Sequence, residues 1–288
     1  MQAADHSAEA LELYRKVGSP GGEVVGLSNL GEICQAMGRL EEALDHLNRA
    51  LQLIRETGYR GAEAETLRVL AAVYRDAGRY DRALELARTA TEAARETGDR
   101  SYETDVLNCL ASIYQGLGEP GRALECHRKA LRLARETETR YAEVVSLTGI
   151  AVALCHPTPA KTRLDQAVTH ADQAVQLARR GGFRMLEGLA LTARADVHLA
   201  RDEPESAVTR ARQAIVIHSD IGCRLGEARA LTTLGHALRR RGDLDGAARH
   251  WREADEIVTD IGLPADEQPA VTHRDEPGAA SRPSAADR

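Results

Sequence analysis

The chain has 288 residues, 43% of them hydrophobic and 28% charged, with a formal net charge of −6, one Phe and one Trp. That is enough apolar material for a sizeable interior, but it offers neither a positive field for phosphate backbones nor an aromatic platform for bases, so no direct nucleic-acid partner is expected. The opening MQAADHSAEALELYRKVG has no basic and then apolar leader, and no run of about eighteen apolar residues occurs, which predicts a cytoplasmic chain with no membrane partner.

The first predicted element is residues 1–18, a half-repeat whose helix over 3–17 matches the second half of a later unit: Ala10 and Leu11 stand where Ala50 and Leu51 stand. A helix without its mate leaves Leu11, Leu13 and Tyr14 short of cover. It reads as a cap, as the remnant of a longer protein ahead of Met1, or as the contact of a homo-oligomer.

A repeat then sets in. RETG stands at Arg55 to Gly58 and Arg95 to Gly98, and RETE at Arg135 to Glu138. The series Gly18, Gly58, Gly98, Glu138, Gly182, Gly222 and Gly262 advances by forty residues at each step except one of forty-four. Six units follow: 19–58, 59–98, 99–138, 139–182, 183–222 and 223–262. Within the first, Leu27, Leu30, Ile33 and Cys34 recur at helical spacing. A breaker follows at Gly38, repeated at Gly78, Gly118 and Gly242, and a second helix restarts over Glu41 to Leu51. Each unit is thus predicted as a helical hairpin too small to bury its own apolar faces, which makes the chain an all-α solenoid of stacked hairpins. The four extra residues of the fourth unit fall in His156 to Arg163, HPTPAKTR, assigned to a loop on its two prolines.

The end of the array differs from its middle. The second-helix position facing the next unit runs Leu51, Thr91, Leu131, Val175, Ile215 and then Asp255, which predicts a wetted final face. Residues 263–288 hold four of the nine prolines and almost no bulky apolar side chain, the composition of a disordered tail.

The units share a finer pattern. It reads Leu27, Leu30, Gly31, Cys34, Ala43, Leu47 and Ala50 in the first, and Leu67, Leu70, Ala71, Tyr74, Ala83, Ala87 and Ala90 in the second. In the last it reads Leu231, Leu234, Gly235, Leu238, Ala247, Trp251 and Ala254. This pattern resembles the tetratricopeptide repeats over residues 19–262, although forty residues replace the usual thirty-four and the closing proline is missing. HEAT and armadillo repeats share the longer period, but the paired alanines favour the tetratricopeptide likeness. The LARETGD-like endings also resemble the carboxy-terminal arrays of bacterial antibiotic regulatory protein type transcription regulators.

The resemblance implies that the first helices line a concave groove. Its inward positions here are Ser28, Glu32 and Gln35; Arg68 and Arg75; Asn108, Ser112 and Gln115; Thr148 and Val152; Thr192 and Asp196; Thr232, His236 and Arg239. These are polar, mixed in sign, and carry arginine at both ends of the array. They lack the converging Lys, Asn and Arg of a chaperone-tail clamp. The implied function is a protein-interaction scaffold binding a peptide or helix, with a binder of small signalling peptides as a weaker variant. The alternative is the sensor or oligomerisation region of a bacterial transcription regulator whose DNA-binding or ATPase domains lie outside this chain.

No motif calls for catalysis, a cofactor or a metal. The chain has no Walker loop, HExxH, G-x-S-x-G or dinucleotide fingerprint. Five cysteines, odd in number and without a C-x-x-C pair, speak against disulfides and zinc ribbons. Cys155 and His156 adjoin, but neighbours on a helix point apart. The Gly21–Gly22 pair is expected in an inter-helix turn as a connector. His127 and His198 stand at packing positions. Arg194 occupies a place held elsewhere by Leu or Ile, and is expected to reach solvent or to pair with Asp196 or Asp202.

Overall fold

The computed structural model describes residues 2–155 and 161–261. Among them are thirteen α-helices and no strand. A lone helix, α1 (Gln2–Lys16), precedes α2 (Pro20–Ala36) and α3 (Leu40–Thr57). Next come α4 (Glu63–Asp76) and α5 (Tyr80–Thr97), then α6 (Arg100–Gly116) and α7 (Pro120–Glu136). The remaining hairpins are α8 (Arg140–Leu154) with α9 (Lys161–Gly181), α10 (Arg184–Ala200) with α11 (Pro204–Ile221), and α12 (Arg224–Arg240) with α13 (Leu244–Asp260). Each even-numbered helix packs on its own partner, on the element before it and on the next even-numbered helix, so that α2, α4, α6, α8, α10 and α12 form an inner wall.

The helices stop where the backbone turns left-handed. Gly18, Gly58, Gly98, Gly182 and Gly222 have φ between 66° and 71°, and Glu138 takes the same conformation at φ 53°. Gly38, Gly78, Gly118 and Gly242 do so within the hairpins, with Asp202 in their register at φ 61°. Glycine adopts this region without the Cβ penalty of other L-residues, so Glu138 and Asp202 hold it against an intrinsic cost of roughly 1–2 kcal/mol each.

The paired alanines set how closely the helices approach. Ala43, Ala83, Ala123, Ala167, Ala207 and Ala247 are wholly buried. Where Leu47 and Trp251 replace Ala87, Ala171 or Ala211, the facing helix carries glycine, whereas His127 keeps Ala111 in register and is accommodated by Gly149 of the next hairpin. A Cβ on Gly31 would come within 2.6 Å of Leu47, and one on Gly235 within 2.2 Å of Trp251. Side-chain volume is conserved across the contact because the interior is close-packed.

The coil closes on itself. Beyond the stacking of neighbours, α12 packs against α2. Leu225, Ala228, Leu231, Ala254, Ile257 and Val258 belong to one buried cluster with Cys34, Leu40, Leu67 and Val69. Ile261 lies so near Gly38 that a Cβ there would approach it to 2.7 Å. The last hairpin is therefore covered where a wetted face was expected: Asp255 is only half-buried, but Ala254, Ile257 and Val258 on either side of it are buried. The cover comes from the start of the chain and not from a further repeat.

Two smaller expectations also change. Gly21 and Gly22 lie in the first turn of α2, where Ser19 caps the helix by accepting from the Gly22 N–H at 3.3 Å and Pro20 opens it. Gly22 is required there by the Tyr14 ring, which a Cβ would meet at 2.2 Å. Of HPTPAKTR, Lys161 to Arg163 begin α9, and 156–160 fall outside the described residues, as do Gly262 and the 263–288 segment. On α1, Leu11 is buried against α2, while Leu13 is 55% exposed and Val17, just past the helix, 73%.

Candidate binding cavity

Closing the coil leaves a cavity of about 680 Å³ inside the inner wall. This is within the roughly 300–1,000 Å³ typical of ligand pockets. Helices α4, α6, α8, α10 and α12 all contribute to its lining, because one stripe of each first helix must face inward once the other stripes pack on neighbours.

Ten of the fifteen inward positions line this cavity: Arg75, Ser112, Gln115, Thr148, Val152, Thr192, Asp196, Thr232, His236 and Arg239. The other five do not. Ser28 is buried and its hydroxyl is 2.8 Å from that of Thr66. Glu32 accepts from Arg68 at 2.7 Å, and the Arg68 guanidinium also grips Glu65 at 2.8 Å. Gln35 donates to Asp76 at 2.6 Å. Asn108 is buried, and its side-chain oxygen accepts from Ser146 at 2.9 Å and from His127 Nδ1 at 3.0 Å. An amide oxygen only accepts, so the His127 proton sits on Nδ1. Its Nε2 then faces Gly149, where a Cβ would come within 2.0 Å, and burial pushes its pKa down to about 3.

Several lining residues are not among those read in the sequence. Val145, Leu189 and Arg229 share a register one turn before Thr148, Thr192 and Thr232; Cys155 and Leu199 share that of Gln115 and Arg239; and Arg240 follows Arg239. Extending the inward stripe by one helical turn would have found the first set. Arg229 reaches across the closure to Asp76, 153 positions away, at 3.1 Å. Arg75 holds the same carboxylate oxygen at 2.8 Å. Burial alone would raise the Asp76 pKa, but Arg75, Arg229 and the Gln35 hydrogen bond together hold it below the ordinary carboxylate range.

The cavity walls differ. Val145, Val152, Leu186, Leu189 and Leu199 make the α8 and α10 side apolar. Asp196 stands among them, with its pKa pushed up to about 7 by burial against the opposing Thr233 hydrogen bond at 2.9 Å. Burial likewise lifts the Cys155 thiol to about 12, which makes it a poor nucleophile at neutral pH. No cluster of three or more His, Cys, Asp or Glu placed to hold a metal occurs among the described residues, and none of their helices is long and apolar enough to cross a membrane.

Arg194 lies outside the cavity lining and pairs with Asp172 at 2.8 Å, not with Asp196 or Asp202. The partner is on the preceding helix, α9, across the interface that α10 makes with it. His198 bonds Glu203 at 2.7 Å.

Sequence profiles of the tetratricopeptide repeat match residues 22–96, 104–138, 188–213 and 228–253. No curated protein matches the chain. Among solved structures, it is similar to a Rap protein complexed with competence and sporulation factor, at a TM-score of 0.73 and 14% identity, over 92% of this chain and 71% of that one. It is also similar to NprR in complex with its cognate peptide NprX, at 0.64 and 11%, over 90% of this chain and 81% of that one. A third likeness is to BtubC (BKLC) from P. vanneervenii, at 0.53 and 17%, over 86% and 98%. At these identities the likeness is one of fold.

Proposed function

For a chain that carries tetratricopeptide repeats and closes them around an unfilled space, we propose a binding protein whose ligand is a peptide or peptide-like protein segment held in that cavity. The observation that carries this reading is the cavity itself. Its 680 Å³ remain open although helices converge from five hairpins, and its lining mixes hydrogen-bonding groups with apolar side chains. A wall built for stability alone would close on itself with Leu and Ala, as the hairpin interfaces do. The similar NprR structure, which contains its cognate peptide, supports the same reading. The protein binds without turnover and uses no cofactor. The sensor region of a transcription regulator, the finer alternative, would use the same space for its effector.

The test is occupancy. A Thr148→Trp variant places a large ring in the cavity from α8, and peptides retained by the full chain should be lost from this variant while its circular dichroism stays unchanged. Equal retention by both proteins would move the binding surface elsewhere.

A further inference from the structure

The charges on the cavity wall do not follow those of the chain. The whole sequence carries −6, yet the charged lining is Arg75, Arg229, Arg239 and Arg240 against Asp196 alone. Asp76 lies behind the first two and neutralises one of that pair. Arg240 meets Asp202 at 3.3 Å in an exposed ion pair. Arg239 stacks over Trp251 at 5.5 Å and makes no ion pair among the described residues. Asp76 uses only one of the five N–H donors of Arg229. The arginines at the two ends of the array are thus brought by closure into one wall, along α4 and α12, and face the apolar side of α8 and α10.

This geometry has a length. Ten residues separate Arg229 from Arg239 on α12, a rise of about 15 Å, which an extended chain covers in roughly four to five residues. Guanidinium groups recognise carboxylates by paired, charge-assisted hydrogen bonds. We infer that the cavity selects short acidic peptides, with carboxylates laid along the Arg229–Arg239 edge and apolar side chains against Val145, Leu189 and Leu199. The inference rests on the peptide reading above and adds the class of peptide.

The experiment incubates the full chain with a synthetic hexapeptide library randomised at every position, separates bound from free by gel filtration, and sequences the retained pool. The expected pool is enriched in Asp and Glu and depleted in Lys and Arg relative to the input. Arg239→Glu should move the pool towards basic peptides and weaken the best acidic peptide about tenfold or more, the effect of roughly one charged contact. Its helicity serves as the folding control, and Arg239→Lys should keep the acidic preference. A retained pool without acidic excess overturns the inference and leaves the peptide reading standing, as does an acidic pool that Thr148→Trp loses and Arg239→Glu leaves unchanged; an acidic pool indifferent to both variants overturns the cavity reading with it. A chain that retains no peptide overturns both.

Discussion

The inner faces of the first three hairpins and of the last three occupy the same repeat positions and do opposite things. On α2, α4 and α6 most of the inward polar groups are used up by neighbouring helices, Ser28 on Thr66, Glu32 on Arg68, Gln35 on Asp76, Asn108 on Ser146 and His127, and only Arg75, Ser112 and Gln115 line the cavity. On α8, α10 and α12 the equivalent Thr148, Thr192, Thr232, Asp196, His236 and Arg239 all reach the cavity. The repeat therefore fixes where a side chain points, while the neighbouring helix decides whether it is available. At Ser28 and Asn108, a polar residue 38 positions further on turns an inward position into a structural one.

The largest test of this contrast falls on the residue that joins the two halves. Asp76→Ala leaves Arg75 and Arg229 without their shared carboxylate at a buried site, and should lower unfolding stability by about 3–5 kcal/mol in urea titration. The Asp76 pKa is depressed, so its contribution is present above the unfolded carboxylate value and is lost as pH falls through the lower folded one. A loss below about 1 kcal/mol would mean that the closure does not depend on this ion pair.

Acid acts next. Burial brings His127 down to about 3 and His218 to about 4, the latter helped by Arg229. An unfolded imidazole takes up its proton near 6.5, so their contribution is complete above that value and falls as pH drops towards the folded values. At pH 5 each should account for about 2 kcal/mol of lost stability, followed by thermal melts from pH 7.5 downward. Replacing His127 or His218 by Leu one at a time should flatten the matching part of the curve and show which half yields first.

Asn108→Ala, in the locked half, should cost about 1–3 kcal/mol by leaving the buried His127 Nδ1–H without its acceptor, while Ser146 keeps its bond to the Ala142 carbonyl. Thr148→Ala, at the equivalent position of the open half, should stay within about 0.5 kcal/mol. Equal effects in denaturant titration would erase the distinction between the halves. The smallest change expected is a gain: Glu138→Gly relieves a left-handed residue at φ 53° and should raise stability by up to about 1 kcal/mol, read as a small rise in Tm.

The local features of this fold are legible in the sequence. The breakers Gly38, Gly78, Gly118 and Gly242 are left-handed as read, and the forty-residue series from Gly18 to Gly222, with Glu138 in its register, proves left-handed as well, because helix ends depend on backbone sterics within a few residues. The alanine pairs marked the close contacts for the same local reason. What stayed hidden was the closure. Periodicity records what each hairpin does to the next, and carries no information on whether the accumulated rotation brings α12 back to α2. Hence the covered face beside Asp255, the Asp76–Arg229 pair and the merged arginine wall appear only in three dimensions. The withdrawal of Ser28 and Asn108 did leave a trace: Thr66 and Ser146 are the polar exceptions in a column otherwise made of Gly26, Val106, Ala190 and Ala230, and each lies 38 residues after the partner it binds.

The contact of α12 with α2 also sets a census. An open stack of hairpins can gain or lose a member at either end and still satisfy every remaining neighbour. Once the sixth hairpin meets the first, inserting or deleting a unit would carry Arg229 away from Asp76 and Ile261 away from Gly38. Substitutions along the inner wall leave this seam intact, whereas adding or removing a module breaks it.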